Sequence, residues 1–313
     1  MVESRRMIVV FLSIFAFAFF GLSGTAHAWG SGAHTDFAMS IIADGAMLAP
    51  AIRHLLRRFP RHFLYGNLAA DTVIGKNLAD EHEHVHNWEV AIKLFDLAKD
   101  DADKAFVFGY LAHLAADTVA HNYFVPKKRV ESFRTITSGH AYWELRYDSF
   151  LPRAVWEVSR SIGSTPFPQQ DDILGAGLKA TILDVKTNRR IWNGYVRVAG
   201  SVDRWRDLMR AHAATSPTPF EREERDEFRA LALEAVACFL NDLRESKTFV
   251  ADPTGRGNLG AAWKIGAHLR KGTSKGIIDP READEIAMTV AKSLRESLHV
   301  AREADLSTAL VRV

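Results

Sequence analysis

The sequence predicts an all-α protein. From Ala33 onward the apolar residues recur mostly at spacings of three and four, long alternating β-branched runs are absent, and Gly or Pro clusters fall between the periodic segments. The pattern places helices over residues 33–44, 50–58, 62–72, 86–99, 102–124, 138–158, 171–193, 197–212, 224–246, 258–270 and 280–302. The first carries His34 near its start. The third is apolar and ends in GNLAADT, with Asp71 ahead of Gly75. The fourth begins where the loop EHEHVHNW turns helical at Asn87 and Trp88. The fifth is long and apolar and carries HLAADTVAH. The sixth carries SGHAYWELRYD, and its His140–Glu144 face continues through Tyr147 and Leu151. Residues 163–168, 216–219 and 252–255 read as loops, none long enough to be a flexible tether between domains.

Composition narrows the function. The 313 residues include 40 Lys+Arg against 38 Asp+Glu, so the electrostatic footprint of a duplex-binding protein is missing and no duplex nucleic acid is expected as a partner. With 47% hydrophobic and 10% aromatic residues the chain can bury a substantial core, which excludes general disorder. The lone Cys238 excludes an intramolecular disulfide and any cysteine-rich zinc module. Metal chemistry would have to use histidine, carboxylates or the backbone, and 13 histidines are available.

Residues 1–28 read as an export signal: Arg5 and Arg6, an apolar run from Met7 to Leu22, then small residues ending Ala26-His27-Ala28. Cleavage after Ala28 would make Trp29 the first mature residue and the protein periplasmic or secreted. Ser4-Arg5-Arg6 leaves the export route open between the general and the twin-arginine pathways. The mature chain, 29–313, is expected to form one all-helical domain, with residues from about 160 onward completing it or extending it as further helices.

Several clusters carry chemistry. His113, Asp117 and His121 stand four and four apart on one helix, a spacing that stacks side chains on one face within reach of a bound metal. His140 and Glu144 repeat the four-residue step, and burying two such stripes without cations would leave charges unpaired. Each cluster has a plainer reading. A helical His or Asp is commonly a hydrogen-bonded structural group, Asp71 a helix-terminal carboxylate, His82, His84 and His86 a solvated loop, and Trp29 an aromatic plug.

Taken in order, however, the clusters resemble the zinc-dependent phospholipase C family, whose fold is shared with the single-strand-specific zinc nucleases. The resemblance covers residues 29–144. It implies a multi-helix bundle of that type and three zinc ions. Trp29, through its α-amino nitrogen and carbonyl oxygen, would hold the first with His34 and Asp117. Asp71, one of the clustered histidines, His113 and Asp117 would hold the second, and His121, His140 and Glu144 the third. Asp117 would bridge two ions, and Asp71 would orient or deprotonate the attacking water. The separation from Asp71 fits His86 or His84 and is too short for His82; His86 is preferred because it opens a helix. The chain departs from the family's usual pattern by running His113, Asp117 and His121 at four and four, with no proline before the last histidine.

Three functions are compatible with this pattern. A phospholipase C cleaving glycerophospholipids to diacylglycerol and a phosphorylated headgroup, with transient membrane-surface contact, is favoured by Glu144, because the related nucleases usually end in His-x3-Asp. A nuclease is favoured by the Trp-x4-His start and by the basic patch Lys127, Lys128 and Arg129. The third is a non-catalytic member whose zinc serves folding. Tyr65, Tyr123 and Trp143 lie near ligands in sequence and could wall a headgroup pocket, but read more simply as core.

Overall fold

The computed structural model describes residues 29–72, 85–135, 139–178, 185–201 and 203–298, and every regular element among them is helical. In chain order these are α1 (Ser31–Ala43), α2 (Pro50–Arg58), α3 (Pro60–Ala69), α4 (Trp88–Asp96), α5 (Asp101–Val119), α6 (Val125–Glu131), α7 (His140–Asp148), α8 (Arg153–Ser164), α9 (Pro168–Gly177), α10 (Val185–Ser201), α11 (Asp203–Thr215), α12 (Arg222–Asp242), α13 (Arg256–Ser274) and α14 (Pro280–Ser297). Short 3₁₀ turns span Gly45–Met47, Ala70–Thr72, Leu243–Glu245 and Lys247–Val250.

Helix α5 is the axis of the molecule. Every residue from Ala105 to Val119 is buried, so the helix is apolar all round apart from the groups it carries for chemistry, as expected of a helix enclosed by others. Asp100 caps it by accepting the N–H of Asp103 at 2.9 Å. The buried Asp103 carboxylate is itself satisfied by Lys99 N, Gln169 Nε2 and Gln170 Nε2 at 2.7–3.0 Å. Helices α3 and α12 pack along α5, and α13 and α14 cover α6. The part of the chain beyond residue 190 therefore supplies walls of the same core.

Two glycines set the closest crossing. A side chain on Gly66 of α3 would strike the Phe106 carbonyl of α5, and one on Gly109 of α5 would strike the Phe63 carbonyl and lie 2.8 Å from Asn67 N. The backbones thus meet directly, without side chains between them.

The boundaries depart from the expected ones where proline and a widened turn intervene. The expected helix over 138–158 is two, because Pro152 ends the first path and starts α8. The expected 171–193 segment likewise divides, with α9 opening on Pro168 and ending at Gly177. Helix α5, in contrast, does not stop at residue 124. A π turn over Ala120–Phe124, in which Val125 N–H bonds to Ala120 O, carries it into α6 and past Pro126. Proline cannot donate to the Asn122 carbonyl one turn back, and that acceptor is taken instead by Asn258 Nδ2 at 3.1 Å. The expected export signal lies outside the described residues. No described helix is long and apolar enough to cross a membrane.

The crossing predicts that Gly66→Val or Gly109→Val lowers the unfolding free energy by about 1–3 kcal/mol or more, since backbone has to move. Gly194→Ala in α10, where a Cβ meets nothing within 4 Å, is expected to stabilise by roughly 0.5–1 kcal/mol. Denaturant titration of the three variants checks both signs; equal effects would contradict the close crossing.

Candidate metal centre

Asp117, in the last turns of α5, is buried and faces three imidazoles. His34 Nε2 lies 3.3 Å from its Oδ1, while His86 Nε2 and His113 Nε2 each lie 3.3 Å from its Oδ2. The Nε2 atoms of His86 and His113 are 3.0 Å apart, and Asp71 Oδ1 is 3.5 Å from the first and 3.9 Å from the second. The His34 and His113 rings stack at 3.7 Å.

Each of these side chains is aimed by backbone. His113 Nδ1–H donates to the Asn67 carbonyl at 2.8 Å, which leaves Nε2 as the lone-pair nitrogen turned toward Asp117. The same α3 continues into the 3₁₀ turn that holds Asp71. His86 sits just before α4, where Asn87 caps the helix by accepting Glu89 N–H and the Tyr110 hydroxyl holds the Val85 carbonyl. His34 is brought in by α1, whose first turn is anchored when Gly32 N–H and Ala33 N–H donate to Asp148 at 3.2 and 2.9 Å.

Trp29 is fully buried. It stacks on Phe124 at 4.8 Å and donates its indole N–H to Ala116 O at 3.0 Å, so it does plug the core in front of α1. Tyr65, Tyr123 and Trp143 are also core residues.

The electrostatics run in a consistent direction. Burial opposes the charge on Asp117, yet His113 and His34 hold its carboxyl well below the usual range. Burial, reinforced by repulsion from His113, lowers His34, so that imidazole is neutral at pH 7. Both Asp117 oxygens and both His34 ring nitrogens are buried without a hydrogen bond. Converging lone pairs around an ionised carboxylate fit a divalent cation and fit nothing apolar. Two triads, His34 with Asp71 and His113, and His86 with His113 and Asp117, each bring donor atoms within 4.8 Å of one another, so either could hold a metal ion.

His121 does not join that group. Each four-residue step turns about 40° round a helix of 3.6 residues per turn, so in a straight helix His121 stands roughly 80° from His113. The single-face expectation for all three residues is corrected accordingly. His121 lies instead beside His140, rings 5.2 Å apart and nearly perpendicular, and His140 Nε2 is 3.0 Å from Glu144 Oε1. Among the described residues this second cluster does not close to the same 4.8 Å limit. His82 and His84 lie outside the described residues.

The same geometry accompanies a sequence match. Residues 33–190, half of the chain, match the profile described as zinc dependent phospholipase C. The chain belongs to that family. No curated protein and no solved structure matches the chain significantly. Zinc dependence and phospholipase C-type phosphodiester hydrolysis are thereby established at the level of the family, and the all-α bundle is the fold that goes with it. The family match contains His34, Asp71, His86, His113, Asp117, His121, His140 and Glu144, and begins after Trp29.

Part of the site comes from beyond the family match and carried no signal in the sequence. A cavity of about 200 Å³ opens beside His86, lined by Trp88 and by residues of the segment 249–256. The Pro253 carbonyl accepts His121 Nδ1–H across 132 residues of chain. Neither contact follows from local spacing.

Asp117→Asn is expected to remove more than one metal ion per chain and to abolish hydrolysis, because the neutral amide no longer offers the charged oxygens that His34 faces on Oδ1 and that His86 and His113 face on Oδ2. Asp71→Asn is expected to spare more metal than activity. Metal analysis beside turnover checks this; equal metal loss in both variants would remove the separate role of Asp71.

Proposed function

We propose that this family member is an exported phospholipase C that uses three zinc ions to hydrolyse glycerophospholipids to diacylglycerol and a phosphorylated headgroup. The observation that carries the reading is the meeting of His34, His86 and His113 on the Asp117 carboxylate, with Asp71 at its edge. Trp29 through its amino terminus and carbonyl, His34 and Asp117 would hold one ion; Asp71, His86, His113 and Asp117 a second; His121, His140 and Glu144 a third. Bound there, zinc supplies positive charge to the nonbridging phosphate oxygens and lowers the pKa of water.

The chain's own residues do the rest. Asp71, less deeply buried than Asp117, accepts a proton from the attacking water as its oxygen bonds to phosphorus. The bond from phosphorus to the glycerol oxygen breaks, and that oxygen leaves as diacylglycerol with the proton that Asp71 accepted, returned by way of solvent. The cavity beside His86 offers an entrance with an apolar wall, Trp88, Phe249 and Val250, facing polar Thr254 and Arg256. Such an entrance suits a lipid lifted from a membrane surface by transient contact.

A lipid is favoured over a polynucleotide by the fate of two of the three residues in the basic patch, Arg129 lying apart from them beside Arg270. Lys127 and Lys128 are neutralised by Glu131 and Glu224, and Lys128 is buried over the Trp143 and Phe220 rings. The two lysines therefore make no positive track for a strand backbone.

Zinc-loaded protein is expected to release a phosphorylated headgroup from a phosphatidylcholine or phosphatidylethanolamine analogue, to lose this activity to a chelator and to regain it with zinc. Mononucleotides from single-stranded DNA or RNA without lipid turnover would make it a nuclease, and inertness on both substrates at full zinc occupancy would assign the metal to folding. The first site further requires a free amino group at Trp29, so sequencing of the exported protein is expected to start there; a longer terminus in active protein would remove that site.

A further inference from the structure

The segment 251–258 lies beyond the family match and is pinned beside two of the candidate ligands. At one end the Ala251 carbonyl accepts Trp88 Nε1–H at 2.9 Å, two residues past His86. Next, the Asp252 carbonyl accepts Asn122 Nδ2 at 2.8 Å and the Pro253 carbonyl accepts His121 Nδ1–H. At the other end Asn258 Nδ2 donates to Asn122 O, the carbonyl that Pro126 leaves without its helical partner.

The segment is stiff. The Asp252 carboxylate accepts Thr254 N–H at 2.9 Å, the Thr254 hydroxyl at 2.6 Å and Arg256 N–H at 3.2 Å. Gly255 takes φ +53° and lies so close to His121 that a Cβ would collide with that residue's Cβ and carbonyl.

We propose that residues 252–258 form a clamp that locks His121 in its Nδ1–H tautomer, presenting Nε2 as the ring's electron-pair donor toward His140 and Glu144. An imidazole has one proton to place when neutral, and a carbonyl fixed on Nδ1 decides where it goes. Pro126 gives the clamp its anchor: it cannot donate to the Asn122 carbonyl, which Asn258 takes from the start of α13, while Gly255 packs against the neighbouring His121. Asn258 and Gly255 are positioning residues, acting on the site through His121. The metal consequence rests on the three-zinc reading above; the tautomer does not.

The test uses the purified protein and its Gly255→Ala, Asn258→Ala and Asn258→Asp variants, with zinc as the probe. Long-range proton–nitrogen spectra of the zinc-free forms at pH 8 are expected to show His121 as the Nδ1–H tautomer in the parent and as a mixture with Nε2–H in the variants. Zinc titration is expected to show one ion held at least about tenfold more weakly in the variants, with the remaining ions unaffected. Thermal unfolding of the zinc-free forms identifies any variant that fails to fold, and Asn258→Ala, which loses the donor without adding charge, read beside the near-isosteric Asn258→Asp, which exchanges it for a carboxylate, then decides. A parent His121 protonated on Nε2, or variants that keep both the Nδ1–H tautomer and parental affinity for every ion, would overturn the clamp. A parent that binds fewer than three ions while the tautomer is fixed, and is lost in the variants, would overturn the three-zinc reading and leave the clamp standing.

Discussion

A carboxylate taken out of water has to be balanced where it lies, and Asp117 imposes that condition on the centre of this bundle. Burial pushes His34, one of the three imidazoles around it, toward its neutral form, in which the ring offers a lone pair. A buried carboxylate ringed by imidazole nitrogens is a good cation cradle, because a bound cation would relieve the desolvation of Asp117 and take up the nitrogen donors together. The helices can be understood from that requirement. Helix α5 is enclosed so that Asp117 is dry, α3 is drawn against α5 so that Asn67 can set the ring of His113, and α1 is tied to Asp148 so that His34 stacks on His113 and faces the other carboxylate oxygen.

What was legible in the sequence was whatever depends on short-range periodicity. The all-α class followed from apolar spacing, and the His113–Asp117 and His140–Glu144 pairs followed from the four-residue step, which a helix converts directly into proximity. The preference for His86 over the neighbouring histidines drew on its position at a helix start; His86 lies beside His113, while His82 and His84 are outside the described residues. The reach of His121 was misjudged at the level of the face, because three residues at four and four drift round a helix and the drift accumulates. Pro126 was equally uninformative in isolation: proline marks a helix end unless another part of the chain satisfies the carbonyl it abandons, and Asn258 does so from 136 residues away. Loop 252–255 read as a plain connection for the same reason, since the contacts that tie it to His121 and Asn122 are long-range.

The family-matched half and the remainder are physically interdependent. Glu224 of α12 neutralises the lysines of α6, Phe239 stacks on Trp88 at 4.3 Å, and the segment before α13 walls the cavity at His86. The ligand-bearing helices on their own would expose the flank of α5 that α12 covers and would leave Lys127 and Lys128 with Glu131 alone as counter-charge, without Glu224. Chemistry held by one half therefore depends on packing contributed by the other.

The π turn between α5 and α6 has a mechanical meaning. A single unbroken rod carries Asp117 just before the widened turn and His121 within it, and the two face different clusters. Helix alone joins Asp117 to His121, with no loop in between. Any motion that tilts or slides this rod carries His113, Asp117 and His121 together, whereas His34, His86, His140 and Glu144 ride on other segments. The rod therefore fixes one member of each cluster relative to the other, and the remaining helices decide how each cluster closes around it.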